Sequence, residues 1–345
     1  MRAWWALVRI ALIAVLASAS IATWMQPASA AQAGDDRDEL IALGEAGEIT
    51  DEYEIVVTEV VPDAAAEIAA ENSFNEPAAE GHQFFLVSVA VTYIGKDEGE
   101  PTWDLNFKAV GASGVGYTTY DASCGVVPNG EYEIGSLFEG GVAEYNVCWQ
   151  IDSADADSLA LYVEPLLSFE DERVWFSLGN PPVEEADLSV LDDLDLVDES
   201  SRDEPIAVGA AGELDDYVIT VREVVVNADD LVASENSYND PPAEGTQFSL
   251  VRVAVTYTGS EIGSPDFDLD FQAVGDLSVG YTTFDNSCGV VPDDQMSANE
   301  LFPGGTIEFN VCWAIDTADA GTLVMYVEPL FAFNDDRLWF SLDEQ

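Results

Sequence analysis

Phe85, Val87, Val89, Val91 and Tyr93 alternate with Leu86, Ser88, Ala90 and Thr92, a period of two that predicts a β-strand with one face turned to a core. The pattern returns at Val251, Val253, Val255 and Tyr257, where Arg252 stands in the place of Ser88. A position that accepts Ser or Arg faces water, so the valine side is the core side. Further strands are predicted at Tyr53–Val61, Trp103–Val110, Val115–Tyr120, Val142–Ile151, Leu159–Glu164 and Val174–Leu178. That is about seven short strands punctuated by Gly, Pro, Asn and Asp, the signature of an antiparallel β-sandwich. No stretch carries a helical stripe, although Asp63–Ala70 is Ala-rich enough for a short helical turn.

These elements occur twice. Glu71-Asn72-Ser73-Phe74-Asn75 returns as Glu235-Asn236-Ser237-Tyr238-Asn239, Tyr117-Thr118-Thr119-Tyr120-Asp121 as Tyr281-Thr282-Thr283-Phe284-Asp285, and Asn146-Val147-Cys148-Trp149 as Asn310-Val311-Cys312-Trp313. The offset stays at 164, far beyond the roughly 20–50 residues of a solenoid unit, so each copy is a whole domain. The organisation expected is an all-β chain of two tandem antiparallel β-sandwich domains, repeat 1 over 43–179 and repeat 2 over 208–343. An acidic lead spans 31–42. Between the repeats, 180–207 carries Pro181-Pro182 and many acids, and self-repulsion predicts an extended, solvated tether.

Residues 1–30 read as a secretory signal peptide: Arg2 and Arg9, an apolar run from Ile10 to Ala22, then Ala28-Ser29-Ala30. The run is shorter than the ~20 residues of a spanning helix, and no later segment is long and apolar enough, so no membrane span is expected after cleavage. Secretion is the expected destination, with cell-surface association open.

Charge sharpens this picture. The chain holds 67 Asp+Glu against 10 Lys+Arg, a formal charge of −57. Only two of the bases are Lys, Lys96 and Lys108. With 48% hydrophobic residues a core is available, so the acids must cover a folded body. Such a surface repels nucleic acid and anionic lipid. It serves solubility in a salty medium, or it binds Ca²⁺ through oxygen ligands. Asp266-Phe267-Asp268-Leu269-Asp270 comes nearest to a calcium loop, but Phe271 stands where the sharp turn needs Gly, and its alternation reads as a strand with one wet face. No metal ligand set is assigned and no cofactor is expected, with Ca²⁺ kept open.

Each repeat carries two Cys separated by 24 positions. In an exported chain the simplest pairing is Cys124–Cys148 and Cys288–Cys312. Ile307, Phe309, Val311 and Trp313 form one apolar face, which places Cys312 on the other; the bond would strap a covering loop to the outer face of a strand.

A search for catalytic chemistry returns little. His82 is the only histidine and its counterpart is Thr246, so a His-dependent triad cannot exist in both repeats. No nucleophile elbow, P-loop or dinucleotide fingerprint is present. Arg173 and Arg337, two residues before Trp175 and Trp339, suit an ion pair or a cap over a ring better than an anion clamp. The protein is expected not to be an enzyme. Two polar loops are the candidates for binding: Glu71–Glu80 with its copy, carrying Asn72, Phe74, Asn75, Asn236, Tyr238 and Asn239, and Tyr117–Pro128 with its copy.

Leu43-Gly44-Glu45, Tyr53-Glu54-Ile55-Val56-Val57, Glu80-Gly81-His82-Gln83-Phe84-Phe85-Leu86-Val87-Ser88-Val89 and Leu105-Asn106-Phe107 together resemble the secreted bacterial domain of unknown function 4352. That resemblance implies export and an immunoglobulin-like sandwich similar to telokin and to the mycobacterial immunoprotective extracellular protein, and it implies no catalytic residues. The function expected is that of an extracellular binding or interaction module of unknown ligand. The alternative is a carbohydrate-binding or hydrolytic accessory protein, which would need solvent-facing aromatics; burial of Trp103, Trp149, Trp175, Trp313 and Trp339 would oppose it.

Overall fold

A computed structural model describes residues 34, 37–166, 172–180, 188–191, 194–284, 287–295, 299–331 and 336–343. The signal segment 1–30 lies outside the described residues, as do Pro181, Pro182, Asp192 and Asp193 of the linker. Among the described residues no helix is long and apolar enough to cross a membrane.

Repeat 1 holds β1 (Ala46–Ile49), β2 (Tyr53–Val61), β3 (His82–Tyr93), β4 (Glu98–Gly99), β5 (Leu105–Val110), β6 (Gly116–Tyr117), β7 (Leu137–Phe138), β8 (Val142–Asp152), β9 (Ala160–Pro165) and β10 (Val174–Ser177). Repeat 2 holds β11 (Ala211–Leu214), β12 (Tyr217–Val225), β13 (Thr246–Tyr257), β14 (Leu269–Val274), β15 (Gly280–Tyr281), β16 (Thr306–Asp316), β17 (Val324–Pro329) and β18 (Leu338–Ser341). Strands pair in the orders β1-β2-β3-β8 and β10-β9-β5-β6, then β11-β12-β13-β16 and β15-β14-β17-β18, while β4 pairs with β7. Every ladder is antiparallel, as the period-two pattern requires. In each repeat the inward side chains of both sheets merge into one core, with Val87, Val89, Phe107, Leu161 and Phe176 in the first and Val251, Val253, Phe271, Val327 and Phe340 in the second. Trp149 and Trp313 sit fully buried between the sheets, their indole N–H donating to Phe107 O at 3.2 Å and Phe271 O at 3.1 Å. That bond satisfies the one polar atom of the largest core side chain.

Several elements differ from the sequence expectation for local reasons. Trp103 does not begin a strand: Pro101–Asp104 forms a helical turn (α2), and β5 starts at Leu105. Pro101 opens that turn, and the Asp104 carboxylate accepts the Glu100 N–H at 2.8 Å and the Tyr53 hydroxyl. The calcium-like stretch follows suit, with Pro265–Asp268 (α4) helical and only Leu269 onward extended. Of Val115–Tyr120 only Gly116–Tyr117 forms a strand, while Val115 makes an isolated antiparallel bridge to Leu301. The Ala-rich turn is realised as Ala65–Glu71 (α1), with Asp229–Glu235 (α3) as its copy. The tether is drawn in at its far end: Val197 bridges Gly212, Ile206 bridges Phe340, and Ile206 is buried. Its apolar side chains gain more from the repeat 2 core than the flanking acids lose.

The two repeats meet through an ion pair whose residues differ between the copies and through aromatic side chains that do not. Lys108 on β5, only 5% exposed, reaches Glu164 Oε1 at 2.5 Å and Glu300 Oε1 at 2.7 Å, joining repeat 1 to repeat 2. Burial opposes the Lys108 charge, but Glu300 and Glu164 outweigh it and hold the ammonium above its usual pKa. Tyr162 donates to Glu300 Oε2 at 3.0 Å, and its ring packs with Trp175 and with Phe302 of repeat 2. Backbones close the contact: Gly116 N–H donates to Glu300 O and Phe302 N–H to Gly114 O, both at 2.8 Å.

Candidate functional site

The disulfides form as expected, Cys124–Cys148 and Cys288–Cys312, each with a Cα separation of 6.2 Å. Both straddle the outer face of the long strand, away from the inner core. Each lies in a small apolar cluster of its own: Ala64, Ile68, Phe84 and Leu86 around the first, Ala228, Val232, Phe248 and Leu250 around the second. Leu86, expected on the wet side of β3, is therefore buried. The short helix and the strapped loop together roof that half of the sheet.

The two candidate loops prove to be one structure. Asn75 donates from Nδ2 to Ile68 O and Val126 O, both at 2.8 Å, and accepts the Val126 N–H at 2.8 Å. Asn239 repeats this with Val232 O, Val290 O and Val290 N–H at 2.7, 2.7 and 2.8 Å. Gly125 and Gly289, at φ +77° and +82°, press on these amides; a Cβ at either would lie 2.3 Å from the Asn Oδ1. Only glycine fits that approach. Asn72 and Asn236 accept the N–H of Phe74 and Tyr238 in Asx turns at 3.0 and 2.9 Å. Asn75 and Asn239 thus spend both side-chain polar atoms on the backbone, and Asn72 and Asn236 their amide oxygens, while Phe74 (89%) and Tyr238 (92%) stand in solvent. Asn239→Ala strips three bonds from a partly buried stitch, so the melting temperature should fall by roughly 5 °C, about 2 kcal/mol. Calorimetry checks this, and an unchanged melting temperature would mean that the stitch is idle.

Beside each disulfide the strapped loop leaves a groove, of 410 Å³ in repeat 1 and 300 Å³ in repeat 2. Thr119, Ser123, Val127 and Asn146 line the first, and their counterparts Thr283, Ser287, Val291 and Asn310 line the second. Both volumes fall at the lower end of small-ligand pockets, enough for one or two side chains of a partner. Acids complete the lining: Glu71 and Glu131 in repeat 1, Asp266, Asp270 and Asp294 in repeat 2; no Lys or Arg joins them among the described residues. Burial raises the pKa of Glu131, Asp266 and Asp270. Phe267 and Phe284, both exposed, stand along the second groove, and exposed Tyr132 along the first.

Phe74 and Tyr238, expected in a candidate binding loop, belong to a larger recurring set of exposed aromatics. Phe74 pairs with Tyr238, Trp103 with Phe267, and Tyr120 with Phe284 at the 164 offset, all solvent-facing. Comparing exposed positions between the copies is the signal that would have found them. By contrast Trp149, Trp175 and Trp313 are buried and Trp339 half-buried, leaving Trp103, 69% exposed, as the open indole of the five. His82 is exposed at the start of β3, its Nδ1 3.2 Å from Glu80 O. Arg173 and Arg337 take the structural role expected, pairing with Glu164 at 3.1 Å and Glu328 at 3.0 Å. Among the described residues no three His, Cys, Asp or Glu side chains are grouped to hold a metal ion.

No family model matches the chain, and no curated protein does. Among solved structures it is similar to a conserved hypothetical protein from Bacillus anthracis, at 18% identity over 39% of this chain and 95% of that one, with a TM-score of 0.27. It is also similar to an uncharacterized β-sandwich protein from Clostridium difficile 630, at 14% identity over 41% and 97% of the two chains, with a TM-score of 0.26.

Proposed function

We propose that the protein is a non-catalytic extracellular binding module that takes a basic, apolar-anchored peptide segment in its disulfide-floored grooves. The observation that carries this reading is the recurrence of the same groove, with the same Thr, Ser, Val and Asn lining, in both repeats. A partner's aliphatic or aromatic side chain would enter against the disulfide and the groove valine, and its Lys or Arg would meet the acids. Exposed aromatics at the rim supply contact area at low entropic cost. The chain's charge of −57 would speed the approach of a cationic partner. The disulfides are compatible with an extracellular location. Export and the immunoglobulin-like assignment follow from the resemblance to the domain of unknown function 4352.

Titration calorimetry of the exported chain with a Lys/Leu-rich peptide, against a Glu/Leu-rich peptide of equal length, tests the reading. Binding is expected for the first alone, and it should weaken with added salt. Below neutral pH the groove acids take up protons, and because burial raises their pKa the loss of affinity should begin above the usual carboxylate range. Phe267→Ser with Phe284→Ser should weaken repeat 2 binding about 30-fold, the hot-spot scale of ~2 kcal/mol. Equal binding of both peptides, or binding indifferent to the two Phe, would overturn it. A second reading, carbohydrate binding, is favoured by Trp103 and the rim aromatics. It would show as oligosaccharide binding independent of salt and lost on Trp103→Ala.

A further inference from the structure

The contact between the repeats is head-to-tail: a knob on repeat 2, Asn299–Gly305, enters a socket on the outer face of β5, β6, β9 and β10. Tandem copies carry both parts twice, so among the described residues repeat 1 owns a free knob at 135–141 and repeat 2 a free socket on the outer face of β14, β15, β17 and β18. The free knob has the same backbone form. Gly140 N–H donates to Tyr93 O and Gly304 N–H to Tyr257 O, both at 2.8 Å. Gly141 N–H closes on Phe138 O at 2.6 Å and Gly305 N–H on Phe302 O at 2.7 Å. Phe138, the counterpart of buried Phe302, is 63% exposed. A heterologous contact of this kind, repeated between molecules, builds an open chain, or a ring where the rotation closes.

Four features separate the free ends from the occupied junction. Glu300 of the working knob is Ser136 in the free one, and Lys108 of the working socket is Gln272 in the free one, so the buried ion pair is missing on both sides. Gln272 is also already engaged, accepting from the Tyr326 hydroxyl at 2.5 Å and donating to Asp270 and Glu328. In the junction Gly114 meets Gly305 so closely that a Cβ at 114 would lie 2.8 Å from Gly305 Cα, and the free socket has Ser278 at that position. Arg337 lies over the rings of Tyr326 and Trp339, 5.2 and 5.9 Å from their centroids, whereas Phe302 packs on the equivalent Tyr162 and Trp175 at 5.5 and 5.8 Å.

We infer that the outer socket of repeat 2 is closed against the knob of a second copy of this chain, so that the protein joins its own repeats through this contact and does not polymerise by it. The steric block is Ser278 and the lost selectivity element is the Lys–Glu pair; Arg337 only covers the aromatic face in the absence of a knob, since its counterpart Arg173 stands at the occupied socket, paired with Glu164. One surface geometry is thus productive inside the chain and silent between chains.

Sedimentation velocity over a concentration series tests this, with circular dichroism confirming that each variant is folded. The natural protein should sediment as a monomer throughout. The combined variant Ser136→Glu, Gln272→Lys, Ser278→Gly should give a concentration-dependent ladder, and adding Phe138→Asp should return it to monomer. Chains carrying Ser136→Glu alone and chains carrying Gln272→Lys with Ser278→Gly should each stay monomeric yet form a one-to-one dimer when mixed. This mixing arm keeps the test decisive should the combined variant not fold. A natural protein that forms a ladder broken by Phe138→Asp, or folded variants that remain monomeric when mixed, would overturn the inference.

Discussion

Replacing Cys124 and Cys148 together by Ala should lower the melting temperature of the protein by about 10 °C. The pair closes a loop of 24 positions, worth about 3.5 kcal/mol in the chain-entropy view of a cross-link. At roughly 3 °C per kcal/mol for a unit of this size, the loss translates into that shift. The consequence should be local as well as global. The strapped loop is held otherwise by the Asn75 stitch, by Asn146 donating to Pro128 O and Asn129 O on the β8 side, and by contacts of Val127 with the small apolar cluster, so α1 and the Cys124 end of the loop should lose amide protection before the inner core does. Hydrogen exchange reads the first effect and scanning calorimetry the second. A shift of a degree or two would mean that the roof is held by packing, with the bond as a bystander.

Lys108→Ala should cost on the order of 3 kcal/mol, because it leaves Glu300 without its cation at a largely buried site and facing Glu164, which keeps Arg173. The penalty belongs to the orphaned Glu300 carboxylate more than to the lost attraction. Lys108→Gln with Glu300→Ser therefore places at the junction the residues found at 272 and 136, and should recover much of the stability lost in Lys108→Ala. Calorimetry separates the cases. Lys108→Ala should split the unfolding of the natural chain into two resolved transitions, one per repeat, and the double substitution should draw them together. Unfolding of Lys108→Ala at the natural temperature would show that the aromatic packing of Tyr162, Trp175 and Phe302 suffices alone.

How far the fold was legible follows from how local each signal is. Valine alternation in β3 and β13 and the tyrosines that close it are nearest-neighbour facts, and a period of two leaves one arrangement. The Cys placement was legible too, because alternation along β16 assigned Cys312 a face. The helical turns at Pro101 and Pro265 were missed because the acids and aromatics after each proline also alternate. What decides there is Asp104 or Asp268 accepting from Tyr53 or Tyr217, and each tyrosine lies 51 residues away. Among the candidate site residues, the sequence marked Asn72, Asn75, Asn236 and Asn239 as polar and repeated, yet gave no way to tell a side chain spent on backbone from one offered to a ligand. The junction was missed for a different reason. Self-similarity draws attention to what the copies share, and Lys108, Glu300 and Gly114 work through differing from Gln272, Ser136 and Ser278.

The sequence by itself determined the strand pattern, the duplication, the Cys pairing within each copy and the acidic surface, since each is written in spacing or counts. Only the tertiary structure decided that two distant loops merge into one roof, that the roof leaves a groove with aromatic and acidic rims, and that one knob is seated while its twin stands free. Those outcomes depend on atoms brought together from positions 51 to 192 residues apart, where identity at each position matters and periodicity is silent.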